Sequence, residues 1–163
     1  MNISLHKANH EDAEIIHNMK VKSFMSLLEK YKDFETSPAN ETIEKVIMQI
    51  NQTSTDYYII KKDDINIGAI RIAKLDKKQN RVSPIFILPE YQGKGIAQEV
   101  FQLVERIYFD TNVWELNTIL QERGNCYLYE KLGYRHTGKI EFVNSNMTLV
   151  YYKKDMTAYH CNK

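Results

Sequence analysis

The sequence predicts an α+β fold (mixed α/β): a central, largely antiparallel, twisted sheet of about seven strands flanked by helices. Three observations lead there. Strand-like and helix-like segments follow one another in the order β-α-α-β-β-β-α-β-α-β-β, a mixture that lays helices on the faces of a sheet. Two of the strands are joined by the turn Asp63-Asp64-Ile65-Asn66, which marks an antiparallel hairpin. The chain has 163 residues, 43% hydrophobic and 26% charged, which suits one ordinary globular domain with its own core. Residues 1–155 are expected to form that domain and 156–163 a frayed tail.

Residues 3–7 alternate apolar and polar, as a short half-buried strand does. Glu11, Asp12 and Glu14 then enrich a first helical turn in acid, where unpaired backbone N–H groups favour negative charge. Ile15, Ile16, Met19, Phe24, Leu27 and Leu28 continue at helical spacing. Residues 31–40 are polar and contain Pro38, so they form a loop; residues 41–50 form a second amphipathic helix on Ile43, Val46, Ile47 and Ile50. Strands follow at 57–60 and 67–73, then a polar turn at 76–81 and a strand at 82–88 that contains Pro84. Proline donates no ladder bond, so Pro84 fits best at a bulge. Gly95 opens a helix to about Phe109, with Ile96, Ala97, Val100, Phe101, Val104 and Ile107 as its apolar positions. A strand at 113–120, a short helix at 125–132 ended by Gly133, and strands at 134–139 and 148–153 complete the set.

Lys plus Arg number 22 and Asp plus Glu 21, for a net charge of +1. That balance argues against a nucleic-acid partner, which calls for a strong basic excess. No run approaches 18 apolar residues, so no membrane partner is expected. The first residues lack a signal peptide's apolar core. Cys126 and Cys161 match neither a disulfide framework nor a zinc spacing. Free thiols in a reducing, cytoplasmic setting are the expectation.

The segment Leu88-Pro89-Glu90-Tyr91-Gln92-Gly93-Lys94-Gly95-Ile96-Ala97 carries the most chemistry. A glycine loop entering a helix N-terminus turns several backbone N–H groups toward one point, where phosphate oxygens bind. Gly93 and Gly95 permit conformations that a Cβ opposes, and Lys94 adds positive charge. No hydroxyl residue follows Lys94, so this is not the magnesium-binding nucleotide loop. A third glycine is missing for the dinucleotide fingerprint. A small kinase is disfavoured by that absent hydroxyl and by the lack of a paired carboxylate for magnesium.

With these residues the sequence resembles the GCN5-related N-acetyltransferase (GNAT) family. Gln92, Gly95 and Ala97 match that family's signature of Gln or Arg, two residues, Gly, one residue, Gly or Ala. The run Leu128-Tyr129-Glu130-Lys131-Leu132-Gly133-Tyr134 is similar to its second motif. The resemblance spans roughly residues 3–153 and implies the family's fold and acetyl-CoA as co-substrate, with no metal. It implies that the amides of Gln92, Gly93, Lys94, Gly95, Ile96 and Ala97 hold the diphosphate. It further implies that the backbone of Phe86 and Ile87 bonds the pantetheine arm, and that Tyr129 sits beside the thioester sulfur.

The implied reaction is direct transfer of acetyl to a primary amine of a small molecule or peptide, in a ternary complex. An amine of pKa about 10.4 must lose a proton, through a base or a water chain leading to one. A phenol stays protonated at neutral pH and can protonate the leaving thiolate, which makes Tyr129 the candidate acid. A backbone N–H near Ile87 is the candidate for stabilising the oxyanion. Cys126 is then structural. Two departures leave the base open. Many relatives carry a glutamate on the strand before the loop, and residues 81–87 hold no carboxylate. Relatives often have asparagine seven residues before the tyrosine; Glu122 stands there, and Asn125 four before. Asn125 is a cofactor contact or a helix cap. Glu122 is a candidate base or a plain loop carboxylate, and Glu115 and His136 are weaker candidates. The acceptor is expected near Met19, Ser23, Phe24 and Tyr31. The alternative function is a non-catalytic acyl-CoA-binding or sensing module on the same fold. A homodimer is a reasonable expectation.

Overall fold

In the computed structural model, which describes residues 2–157, seven strands make one sheet in the order β1-β2-β3-β4-β5-β7-β6. The strands are β1 (Ile3–Lys7), β2 (Thr55–Lys62), β3 (Ile65–Lys74), β4 (Gln79–Ile87), β5 (Val113–Ile119), β6 (Arg135–Asn144) and β7 (Met147–Asp155). The helices are α1 (Ala13–Tyr31), α2 (Ile43–Asn51), α3 (Ile96–Ile107) and α4 (Arg123–Lys131). Cys161 and most of the expected tail lie outside the described residues. No helix among the described residues is long and apolar enough to cross a membrane.

Strand alternation splits the core in two. In β2, Tyr57 and Ile59 face α1 and α2, where they join Ala13, Ile16, Met19, Val46, Ala69 and Phe86. Tyr58 and Ile60 face the other way, into a larger cluster with Val100, Phe101 and Val104 of α3 and Tyr129 of α4. The period of two along the strands thus assigns one helix pair to each face.

All strand pairs are antiparallel except β4 with β5, which run parallel. That pairing covers only Gln79↔Val113, Asn80↔Trp114 and Arg81↔Glu115. Beyond it β4 continues to Ile87 and β5 to Ile119 without bonding each other, so the sheet parts in its middle. Pro84 lies where expected: the β3–β4 register slips between Ile70 and Ile72, which leaves Ser83 and Pro84 opposite Arg71.

The differences from expectation are at element ends. The strand expected from Val82 begins at Gln79, inside the expected turn, because Asn80 pairs with Lys74 and donates from its buried side chain to Thr111 Oγ1 at 2.7 Å. The strand expected to stop at Lys139 runs on to Asn144. β6 is an exposed edge held by pairing with β7, so it carries no periodic pattern of buried residues.

Candidate active site

The residues of the glycine loop lead from β4 into α3. Gly93 and Gly95 take φ of +74° and +78°, and nothing lies within 4 Å of where a Cβ on either would stand. Gly95 caps α3 without any side-chain hydrogen bond. Among the described residues, no protein acceptor takes the amides of residues 93–98. They form an open row of donors at a helix N-terminus, a setting made for an anion. The Gln92 side chain instead braces the loop against β4, its Nε2 donating to the Ile87 carbonyl at 2.8 Å. Ile96 is a core residue, 1% exposed. Lys94 is exposed and lies over the Tyr91 ring, 5.8 Å from its centroid.

Leu88 N–H donates to the Ile67 carbonyl at 2.8 Å, toward β3. Alternation along the strand therefore turns the Ile87 N–H the other way, into the gap between β4 and β5. Phe86 is buried against the α1 side, edge-on to Phe24 with centroids 5.8 Å apart.

Two cavities open along this gap. One, about 610 Å³, is lined by Phe86, Ile87, Gln92, Gly93, Gly95, Ile96 and Ala97. The other, about 450 Å³, lies between α1, the loop at 33–38, α2 and the strands β3, β4, β5 and β7. Phe24, Leu27, Ile85, Asn125 and Tyr129 line both. The expected cofactor residues therefore converge with Tyr129, except that the Lys94 side chain does not line either cavity.

Tyr129 is fixed at the end of α4. Gly133 takes φ +101°, Tyr134 N–H donates to the Tyr129 carbonyl at 3.0 Å, and Gly133 N–H donates to the Glu130 carbonyl at 3.1 Å. This is a Schellman motif, and the Tyr134 and Tyr129 rings pack at 6.1 Å as its apolar contact. Phe101 adds an edge-on contact at 5.8 Å. Burial pushes the Tyr129 phenol up to about 12, and the nearby Cys126 thiol adds to this. Cys126 is itself buried, with Sγ 3.8 Å from the carbonyls of Ile119 and Leu120. Asn125 lies within α4, which starts at Arg123, so it is not the helix cap.

Glu122 is placed differently from a free base. It lines only the first cavity. Lys30 Nζ donates to its Oε2 at 2.7 Å, and the Tyr31 hydroxyl donates to the same oxygen. These two donors hold its carboxyl below the usual carboxylate range against the opposing pull of desolvation. Glu115 pairs with Arg81 at 3.5 Å, and His136 lies on β6 against Tyr152; neither lines either cavity. The residues expected near the acceptor stand in several settings. Met19 is buried in the core, Tyr31 is turned to Glu122, and Ser23 faces the first cavity. Only Phe24 of that group lines the second cavity. The residues missed from sequence include Asp33, Gln49 and Arg71. A signal was present: Arg71 interrupts the apolar run Ile67–Ala73, and Gln49 sits on the buried side of α2.

The model of the acetyltransferase (GNAT) domain family matches residues 10–156. The uncharacterized Bacillus subtilis (strain 168) protein YrkN is 27% identical over 124 residues, covering 75% of this chain. The chain spans only 65% of YrkN's length. Among solved structures, the PaiA N-acetyltransferase of Thermoplasma acidophilum in complex with coenzyme A superposes with a TM-score of 0.74 at 18% identity. The match covers 95% of this chain and 99% of that one. The spermidine N-acetyltransferase of Vibrio cholerae in complex with CoA and spermine gives 0.76 at 17% identity, over 97% and 98%. At such identity the likeness establishes the fold: a seven-stranded mixed sheet flanked by helices.

Proposed function

Because this chain belongs to the acetyltransferase (GNAT) domain family, we propose that it transfers acetyl from acetyl-CoA to a primary amine of a small molecule or peptide, by direct attack in a ternary complex. The observation that carries this reading is the meeting of two cavities at Tyr129. One offers a diphosphate cradle and an unpaired strand edge; the other leaves room for an acceptor. The residues fit the co-substrate: the amides of residues 93–98 lack acceptors, and the glycine loop leaves the space above them open. PaiA and the Vibrio enzyme were each solved with CoA on this fold.

Acetyl-CoA would supply an activated acyl carbon and a thiolate leaving group. The Ile87 N–H, turned into the gap, is the donor available to a carbonyl oxygen gaining charge. Tyr129 keeps its proton to high pH and is the donor available to the thiolate. None of the five residues lining both cavities is a carboxylate or an imidazole. With no such group where the cavities meet, the amine's proton passes to water in the second cavity and on to bulk solvent. Glu122 acts as a clamp between α4 and α1 in this reading, in place of the expected base.

The test is release of free CoA, followed with a thiol reagent, on incubation with acetyl-CoA and a broad amine panel. Amine-dependent release is expected. Failure of the protein to bind CoA at all overturns the proposal. Tight CoA binding with no release by any amine favours the non-catalytic acyl-CoA-binding module, for which the engaged Glu122 speaks.

A further inference from the structure

The second cavity carries charges that the proposed reaction leaves unused. Two cations, Lys45 and Arg71, line it together with two carboxylates, Asp33 and Glu41, and a third cation, Lys20, lies buried behind the wall against Glu41. Their pairing is uneven. Glu41 Oε2 accepts from the fully buried Lys20 at 2.8 Å, and Oε1 accepts from Lys45 at 2.9 Å. Asp33 is buried, and both of its oxygens accept from Thr36, one from the amide and one from the hydroxyl. Arg71 has no carboxylate partner among the described residues. Its Nη1 donates to the Ser83 carbonyl at the bulge, and its Nε is buried with no partner. Gln49, 7% exposed and lining the same cavity, also leaves its buried Oε1 without a partner.

Resting on the acetyltransferase reading, we propose that the acceptor is a small amine bearing a carboxylate, an amino acid or close analogue, held through that carboxylate by Arg71. A guanidinium offers a planar fork of donors that matches a carboxylate in both charge and shape. Gln49 is left to bond a polar group of the same acceptor. Phe24, Leu28, Leu116 and Leu149 supply apolar wall for its hydrocarbon part, and about 450 Å³ is the size of a small-molecule site. A polyamine finds both carboxylates of the lining already engaged, Glu41 by Lys20 and Lys45 and Asp33 by Thr36, and meets Arg71 as a like charge. The spermine bound by the Vibrio enzyme is therefore a poor guide to this acceptor.

The experiment compares L-amino acids with their C-terminal amides, and with spermidine, as acceptors. The acids are expected to exceed their amides in kcat/KM by about tenfold or more, the worth of one hydrogen-bonded charge pair. Arg71→Gln should bring that ratio to near one through a rise in KM, and Arg71→Lys should restore part of it. CoA affinity and melting temperature report whether each variant is folded. Separately, amino acids and their N-acetyl products, without acetyl donor, should stabilise the wild type against heat and not Arg71→Gln. Spermidine outranking the acids, equal rates for acid and amide, or no stabilisation by any carboxylate-bearing amine would each overturn the proposal. Carboxylate binding through Arg71 in a protein that never transfers acetyl would sink the transferase reading alone.

Discussion

The Tyr129 phenol is enclosed by other rings: Phe101, Tyr134 and Tyr152 all lie with centroids within 6.3 Å. Removing its oxygen leaves that packing in place. Tyr129→Phe should therefore bind CoA normally and transfer acetyl at least tenfold more slowly, about 1.4 kcal/mol of barrier; unchanged transfer in a thiol-release assay would remove Tyr129 from its role. Burial disfavours the phenolate, so with its pKa near 12 the acid stays loaded through the working range. The kcat profile should show no fall centred at the ordinary phenol value of about 10. Glu122 gives a second prediction. Its folded pKa is depressed, so its stabilisation is full above the unfolded carboxyl pKa of about 4.3 and is lost as pH falls through the folded value. Glu122→Gln should melt lower than wild type at pH 6–7, and the difference should vanish in acid when melting temperatures are followed against pH. Tyr129 was legible because its motif is local. The engagement of Glu122 was not, because Lys30 and Tyr31 lie about ninety residues away in the chain.

At the scale of an element, the loop between β4 and α3 acts through backbone conformation. Gly95 holds φ +78° in open space, so a methyl there meets no atom but strains the backbone. Gly95→Ala should cost about 1–2 kcal/mol of stability. It should also weaken CoA binding by about tenfold or more, since relaxing the strain turns several donors away together; calorimetric titration measures the second effect and thermal melting the first. Helices α2 and α3 were readable from apolar residues three and four apart, and the hairpin of β2 and β3 from its turn. The second half of β6 was not, because an edge strand is held by backbone pairing and its exposed side chains record nothing. The second cavity was equally hidden: Arg71, Gln49 and Asp33 come from a strand, a helix and a loop, and only the topology unites them.

Across the whole molecule, the one sheet has two halves joined by a short parallel seam: β1 to β4 on one side, β5 to β7 on the other. CoA bound in the gap would contact both. Ligand at a hundred times its Kd adds roughly 2.7 kcal/mol, which for a chain of this length raises the melting temperature by roughly 5–10 °C. Calorimetry with and without CoA checks this, and no shift at saturation would mean that CoA does not bind the native state.

The parted sheet has one more implication. Most folds confine unsatisfied strand backbone to their outer rims, where charge and proline discourage a foreign chain from zipping on. Here such backbone also runs through the interior, on the inner sides of β4 and β5. A bound pantetheine arm would act as a surrogate rung and mask it; without one, the protein carries a sticky slot at its heart. Light scattering should rise faster in samples stripped of CoA than in saturated ones, and equal rates would mean the slot is already shielded.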